Sequence, residues 1–140
     1  MKNTDIIILN NIYKIAYSTN KLFLYLCNQC NDEEVSKILI EQARACDKIV
    51  GKCLDCLDKL HHLPTIWAKV DGAIVFVQTK IKLFVDNSKY KINQIVLKAC
   101  FDNIVLLFKL TRKCDPFSIY IDNITACMEI FESTINMLRQ

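Results

Sequence analysis

Between residues 35 and 60, apolar and thiol side chains recur with a period that an α-helix satisfies. Leu39, Cys46, Cys53 and Leu60 return at every seventh position, and Val35, Gln42, Ile49 and Cys56 fall between them at steps of three or four. Such spacing lays one stripe along a helix, the seam that antiparallel bundle packing requires. A half-buried β-strand would instead alternate with period two, and no stretch of the chain does so.

The same rule organises the rest. Glycine and proline number two each in 140 residues, too few for the turns of a β fold. Helix 1 is expected over 4–29, with Leu9, Ile12, Ala16, Thr19, Phe23, Leu26 and Cys30 on one face. Helix 2 follows over 32–61, capped by Asn31 with Glu34 three residues on, a capping-box pattern. Pro64 belongs to the first turn of helix 3, expected over 65–86 with Ile66, Val70, Ala73, Val77, Ile81 and Phe84 facing inward. Asn87 or Ser88 caps helix 4, over 89–113, whose narrow polar stripe marks it as the most central helix. Asp115 and Pro116 open helix 5, with Tyr120, Ile124, Cys127, Phe131, Ile135 and Leu138 inside. The expected architecture is all-α: one up-and-down antiparallel helical bundle of four to five helices spanning residues 1–140 as a single domain.

Hydrophobic residues make up 52% of the chain, more than one small core hides, so a self-association surface and a homodimer or other protein partner are expected. The net charge of +3 is carried by lysines scattered singly, so nucleic acid is not expected as a partner. The apolar runs "GAIVFV" and "IVLLF" are interrupted far short of a bilayer's thickness, so no membrane span is expected. "MKNTDIIILNNIYK" lacks the small-residue cleavage site of an export signal, and the expected location is cytoplasmic. The eight cysteines then read as reduced thiols packing as small hydrophobes.

Cys27-x-x-Cys30 and Cys53-x-x-Cys56 invite a four-thiolate zinc site. If helices 1 and 2 reverse near residue 31, however, Cys53 lies about 33 Å from that turn at the helical rise. Zinc–sulfur bonds of roughly 2.3 Å exclude a shared ion. Neither pair sits at a helix N-terminus, where the dipole activates thiols. A different set survives the same arithmetic. Measured from the turns near 62 and 114, Cys53, Cys127, Cys100 and Cys46 stand about 14, 18, 21 and 24 Å along alternating helices. Cys46, Cys53, Cys100 and Cys127 are therefore the candidate metal ligands, for Cu(I) or Zn(II), although no cofactor is expected by default.

The segments "ILNNIYKIAYSTNKLFLYLCNQCNDEEVSKIL", "IVGKCLDCLDKL" and "FVDNSKYKINQIVLKACFDNIVLLFKL", in this order, resemble a family of small, uncharacterised ferritin-like helical proteins of clostridia and related Firmicutes. The resemblance implies a ferritin-like bundle and no activity. Di-iron sites of that superfamily use inward glutamates and Glu-x-x-His pairs. Here neither His61 nor His62 follows a glutamate at that spacing, and Glu129 with Glu132 reads as an outer face.

No glycine-rich phosphate loop, serine nucleophile elbow or histidine with a plausible acid partner is present, so no catalytic residue is assigned and the chain is not expected to be an enzyme. Trp67 is expected as a core or interface anchor. Gly51 and Gly72 are expected at a kink or a close helix approach, and Gln42 with Asn103 as an interior pair fixing register. The functional expectation is a non-enzymatic bundle acting by self-association or protein–protein interaction. A thiolate metal binder is the alternative, and a ferritin-like iron binder a further one.

Overall fold

A computed structural model of the chain describes residues 2–86, 88–113 and 120–139. Five helices run in order: α1 (Lys2–Gln29), α2 (Glu33–Lys59), α3 (Trp67–Val85), α4 (Lys89–Lys113) and α5 (Ile121–Leu138). No strand occurs among the described residues.

Hydrogen bonds between helices give their directions. Asn20 Nδ2 donates to the Ala43 carbonyl at 2.8 Å, and the Cys27 thiol to that of Ser36 at 3.5 Å, so α1 and α2 are antiparallel. Asn103 Nδ2 donates to Thr19 Oγ1 at 2.9 Å and ties α4 to α1, while Gln42 Nε2 donates to Ser133 Oγ at 3.4 Å and ties α2 to α5. Gln42 and Asn103 thus secure two separate helix pairs and do not meet each other as expected. Helices α1, α2, α5 and α4 form a ring in that order, and α3 lies against α1 outside it.

The seams of α1, α2 and α5 are where periodicity places them. Leu9, Ile12, Ala16, Phe23 and Leu26 of α1 are fully buried, as are Leu39, Cys46 and Cys53 of α2 and Ile124, Cys127 and Phe131 of α5. Burying a side chain of the Val, Leu, Ile or Phe type contributes about 1.5–3 kcal/mol, so these three seams carry most of the core. Two expectations fail. The hub is α1, the helix that touches all four others, and not α4. Helix α4 buries Ile92, Val96, Cys100, Leu107 and Leu110, yet leaves Phe101, Val105, Leu106 and Phe108 about half exposed.

The helix ends are built by local chemistry. The cap of α2 is Asp32, one residue beyond Asn31: its Oδ1 accepts the Val35 N–H at 3.0 Å and its Oδ2 pairs with Lys89 Nζ at 3.1 Å. These partners hold the Asp32 carboxyl below its ordinary pKa, the Val35 bond first. Ser88 caps α4 by accepting the Lys91 N–H at 3.2 Å. The expected caps Asp115 and Pro116 lie outside the described residues, as does Asn87.

Helix α2 ends in a paired-bond motif. The His61 N–H donates to the Asp58 carbonyl at 2.9 Å and the His62 N–H to that of Leu57 at 3.0 Å. This closure needs a left-handed residue at His61, whose φ is 55°. A Cβ in that region costs about 1–2 kcal/mol that glycine avoids. His61→Gly is therefore expected to raise the thermal midpoint by a few degrees in a calorimetric scan, with an unchanged helical circular dichroism signal.

Candidate functional site

Helix α3 is attached by its small and polar side. Ala68, Thr79 and Leu83 are buried, and Asp71, Gly72 and Val75 half-buried, all on the side toward α1. The Thr65 N–H donates to Asn10 Oδ1 at 3.0 Å, Lys14 Nζ pairs with Asp71 Oδ2 at 3.0 Å, and Phe76 meets the Tyr25 ring edge-on at 4.6 Å. These contacts run in the same sense along both helices, so α3 lies parallel to α1.

The expected inward row of helix 3 therefore points to water. Ile66, Val70, Ala73, Val77, Ile81 and Phe84 are all exposed, Phe84 to 92% and Ile66 to 72%. Trp67, at 60% exposure, is not a core residue, and Leu63 and Ile74 extend the same face. At 100° per residue this stripe lies opposite the side that touches α1. The helix is held by its less apolar face, and its more apolar one is exposed.

A cleft of about 220 Å³ opens beside it, between α3 and α4 and over α1, with Gln78, Lys82, Lys98 and Asp102 on its walls. Two pairs form among its polar groups: Asn103 Nδ2 donates to Thr19 Oγ1 at 2.9 Å, and Lys98 Nζ bonds Asp102 Oδ2 at 2.8 Å. Neither helical glycine marks a forced approach: a Cβ at Gly51 would meet nothing within 4 Å, and one at Gly72 only ordinary contacts at 3.9 Å.

Cys46, Cys53, Cys100 and Cys127 are all fully buried in the core. Burial pushes the thiols of Cys53, Cys100 and Cys127 up to about 12, and that of Cys46 upward too, with Cys127 and Cys100 near it adding to the effect. A metal needs thiolates, and this environment opposes their formation. Among the described residues no three cysteine, histidine or acidic side chains gather as a metal's ligands would. The four thiols share a region of the core without forming a ready ligand set. A di-iron centre fits less well still: Glu129, Glu132, His61 and His62 are exposed, and the buried polar side chains among the described residues, Thr19, Asn20, Gln42, Thr79 and Thr134, include no carboxylate.

Cys27 and Cys30 are half-buried at the end of α1. Cys30 donates its S–H to the Asp32 carbonyl at 3.7 Å, a contact inside the turn into α2. Among the described residues no helix is long and apolar enough to cross a membrane.

Fold and surface together define a helical bundle whose most developed feature is an apolar face on an outlying helix. No family model matches the chain, and no curated protein or solved structure is significantly similar to it.

Proposed function

We propose that the chain is a non-enzymatic association module whose working surface is the outward face of α3. The observation that carries this reading is the inversion of α3, which turns Ile66, Trp67, Val70, Ile74, Val77, Ile81 and Phe84 outward while Ala68, Gly72 and Thr79 face α1. A solvated helix gains nothing from such a face, and an apolar patch of this extent is characteristic of a surface that another protein covers.

Trp67 is the single tryptophan and lies on this face, so its fluorescence reports whether the face is covered. In the associated protein the expected result is blue-shifted emission that resists acrylamide. Water-like emission that is quenched freely at every protein concentration and with every protein added counts against the reading.

The ring of α1, α2, α5 and α4 with alternating directions supports a ferritin-like assignment at the level of architecture, and a reducing cytoplasm suits the free thiols. A soft-metal binder using Cys46, Cys53, Cys100 and Cys127 is the second reading, supported by the proximity of Cys46 to Cys100 and Cys127. Such a metal would have to draw the thiols together and displace their protons. Elemental analysis after anaerobic purification tests it: copper or zinc at one ion per chain supports it, and their absence after metal loading removes it.

A further inference from the structure

We infer that the face of α3 is covered by a second copy of this chain, α3 upon α3 about a two-fold axis; the inference rests on the association reading above. Three properties of the face select this occupant.

The first is area. Aromatic side chains bury on the order of 150–250 Å² each when fully covered, and here Trp67 and Phe84 are exposed to 60% and 92%. With Val70, Ile74, Val77 and Ile81 39–63% exposed between them, the face offers on the order of 600–800 Å² if fully covered, near the share of one partner in a standard interface, about 800 Å². A single helix face thus suffices for a dimer without help from the rest of the surface.

The second is shape. The face has an aromatic residue at each end, Trp67 and Phe84, and four β-branched residues between. β-Branched side chains are stiff at χ1, so little freedom is lost on packing. A surface that meets an identical surface about a two-fold axis is the commonest closed arrangement of protein subunits.

The third is charge. An anionic membrane recruits a surface through a cluster of about four to eight basic residues. The flanks of α3 carry Lys69, Lys80 and Lys82 with Asp71 among them, and Asp71 is paired with Lys14. Three separated lysines are too few for such recruitment. Helix α4 carries a second group of exposed apolar residues, Phe101 and Val105 among them, and it serves as the internal control.

The test compares three chains by light scattering across a dilution series: the unaltered protein, Val77→Lys/Ile81→Lys and Phe101→Lys/Val105→Lys. The expected result is twice the 16.2 kDa chain mass for the unaltered protein and the α4 variant, with a dimer dissociation constant weakened at least about 30-fold in the α3 variant. All four positions are exposed in the single chain, so the variants should keep their helical content, which circular dichroism checks. Independently of any variant, Trp67 should become resistant to acrylamide as the unaltered protein is concentrated through the dimer transition.

Dimers lost only in the α4 variant would overturn the α3 pairing while leaving association intact on another face. A chain that is monomeric at every concentration, with Trp67 freely quenched until a different protein is added, would overturn the second copy but not the association reading. A monomer whose Trp67 is shielded only by phosphatidylcholine–phosphatidylserine vesicles would overturn both.

Discussion

Raising the pH from 8 to about 11 is expected to unfold this protein, with a steep loss of stability that begins near pH 9. Cys46, Cys53, Cys100 and Cys127 are sealed in the core. Burial lifts Cys53, Cys100 and Cys127 from an ordinary 9.0 to about 12, and Cys46 in the same direction. The folded values exceed the unfolded ones, so both states keep their thiol protons below pH 9 and the thiols add no pH dependence there. Above it the unfolded chain releases protons that the folded chain retains, and stability falls until the folded thiols also ionise. Each such group contributes a slope of about 1.4 kcal/mol per pH unit, and four together about 5 kcal/mol. A domain stable by about 5–15 kcal/mol is exhausted within one to three units. Tyr13 and Tyr120, also raised chiefly by burial, act in the same direction at higher pH.

Urea unfolding at pH 8, 9, 10 and 10.5 under a reducing agent measures the slope. Replacing Cys100 and Cys127 by alanine should lower stability at pH 7 through lost packing and reduce the alkaline slope by about half. An unfolding free energy that is level from pH 8 to 10.5 would contradict a sealed thiol region.

The burial of Cys46, Cys53 and Cys127 was legible because each lies on a seam whose opposite side is polar, whereas Cys100 only borders one. Along α2, Leu39, Cys46 and Cys53 alternate with Lys, Asp and Glu residues that have nowhere to go but water, so periodicity gives both the face and its direction. Helix α3 shows where that inference ends. Its apolar stripe was found at the correct residues, but a periodic pattern reports where apolar side chains gather, and their burial was an added assumption. The ring of α1, α2, α5 and α4 is closed without α3, which leaves this helix no interior to face. The opposite side, with Ala68, Gly72 and Thr79, is smooth enough to lie against Tyr17 and Tyr25 of α1, and such a row of small residues was the available signal.

Helix α4 was misjudged for a related reason. Its sequence is apolar nearly all round, which suits a buried helix, yet Phe101, Val105 and Phe108 are left about half exposed. The misplaced cap at Asn31 is a smaller matter: Asn31 and Asp32 are equally good caps by residue type, and the Val35 N–H selects Asp32. The metal candidates illustrate a further limit. Helical rise places Cys46, Cys100 and Cys127 in neighbouring layers, and Cys46 does have the other two near it, but convergence on one point depends on side-chain directions that spacing does not encode.

Phe23→Ala and Phe84→Ala, the same chemical change on two helices, are expected to differ by several kcal/mol in their effect on stability, about 3–5 against no more than about 0.5. Phe23 is fully buried on α1, the helix that packs against all four others. Removing its ring leaves a cavity that α1 cannot close without moving away from several neighbours at once, and such truncations cost about 3–5 kcal/mol. For a chain of this size that is a fall of roughly 10 °C or more in the thermal midpoint. Phe84 is 92% exposed, so its truncation in the dilute monomer is expected to change stability by no more than about 0.5 kcal/mol. The same substitution examined at high concentration should lower the midpoint measurably, because a partner that binds only the folded chain stabilises it in proportion to its occupancy. Thermal scans of both variants at low and high protein concentration separate the two roles. Phe23→Ala should be destabilised equally at both, and Phe84→Ala only at the higher one. Equal behaviour of Phe84→Ala and the unaltered protein at every concentration would show that the ring at the end of α3 takes no part in association.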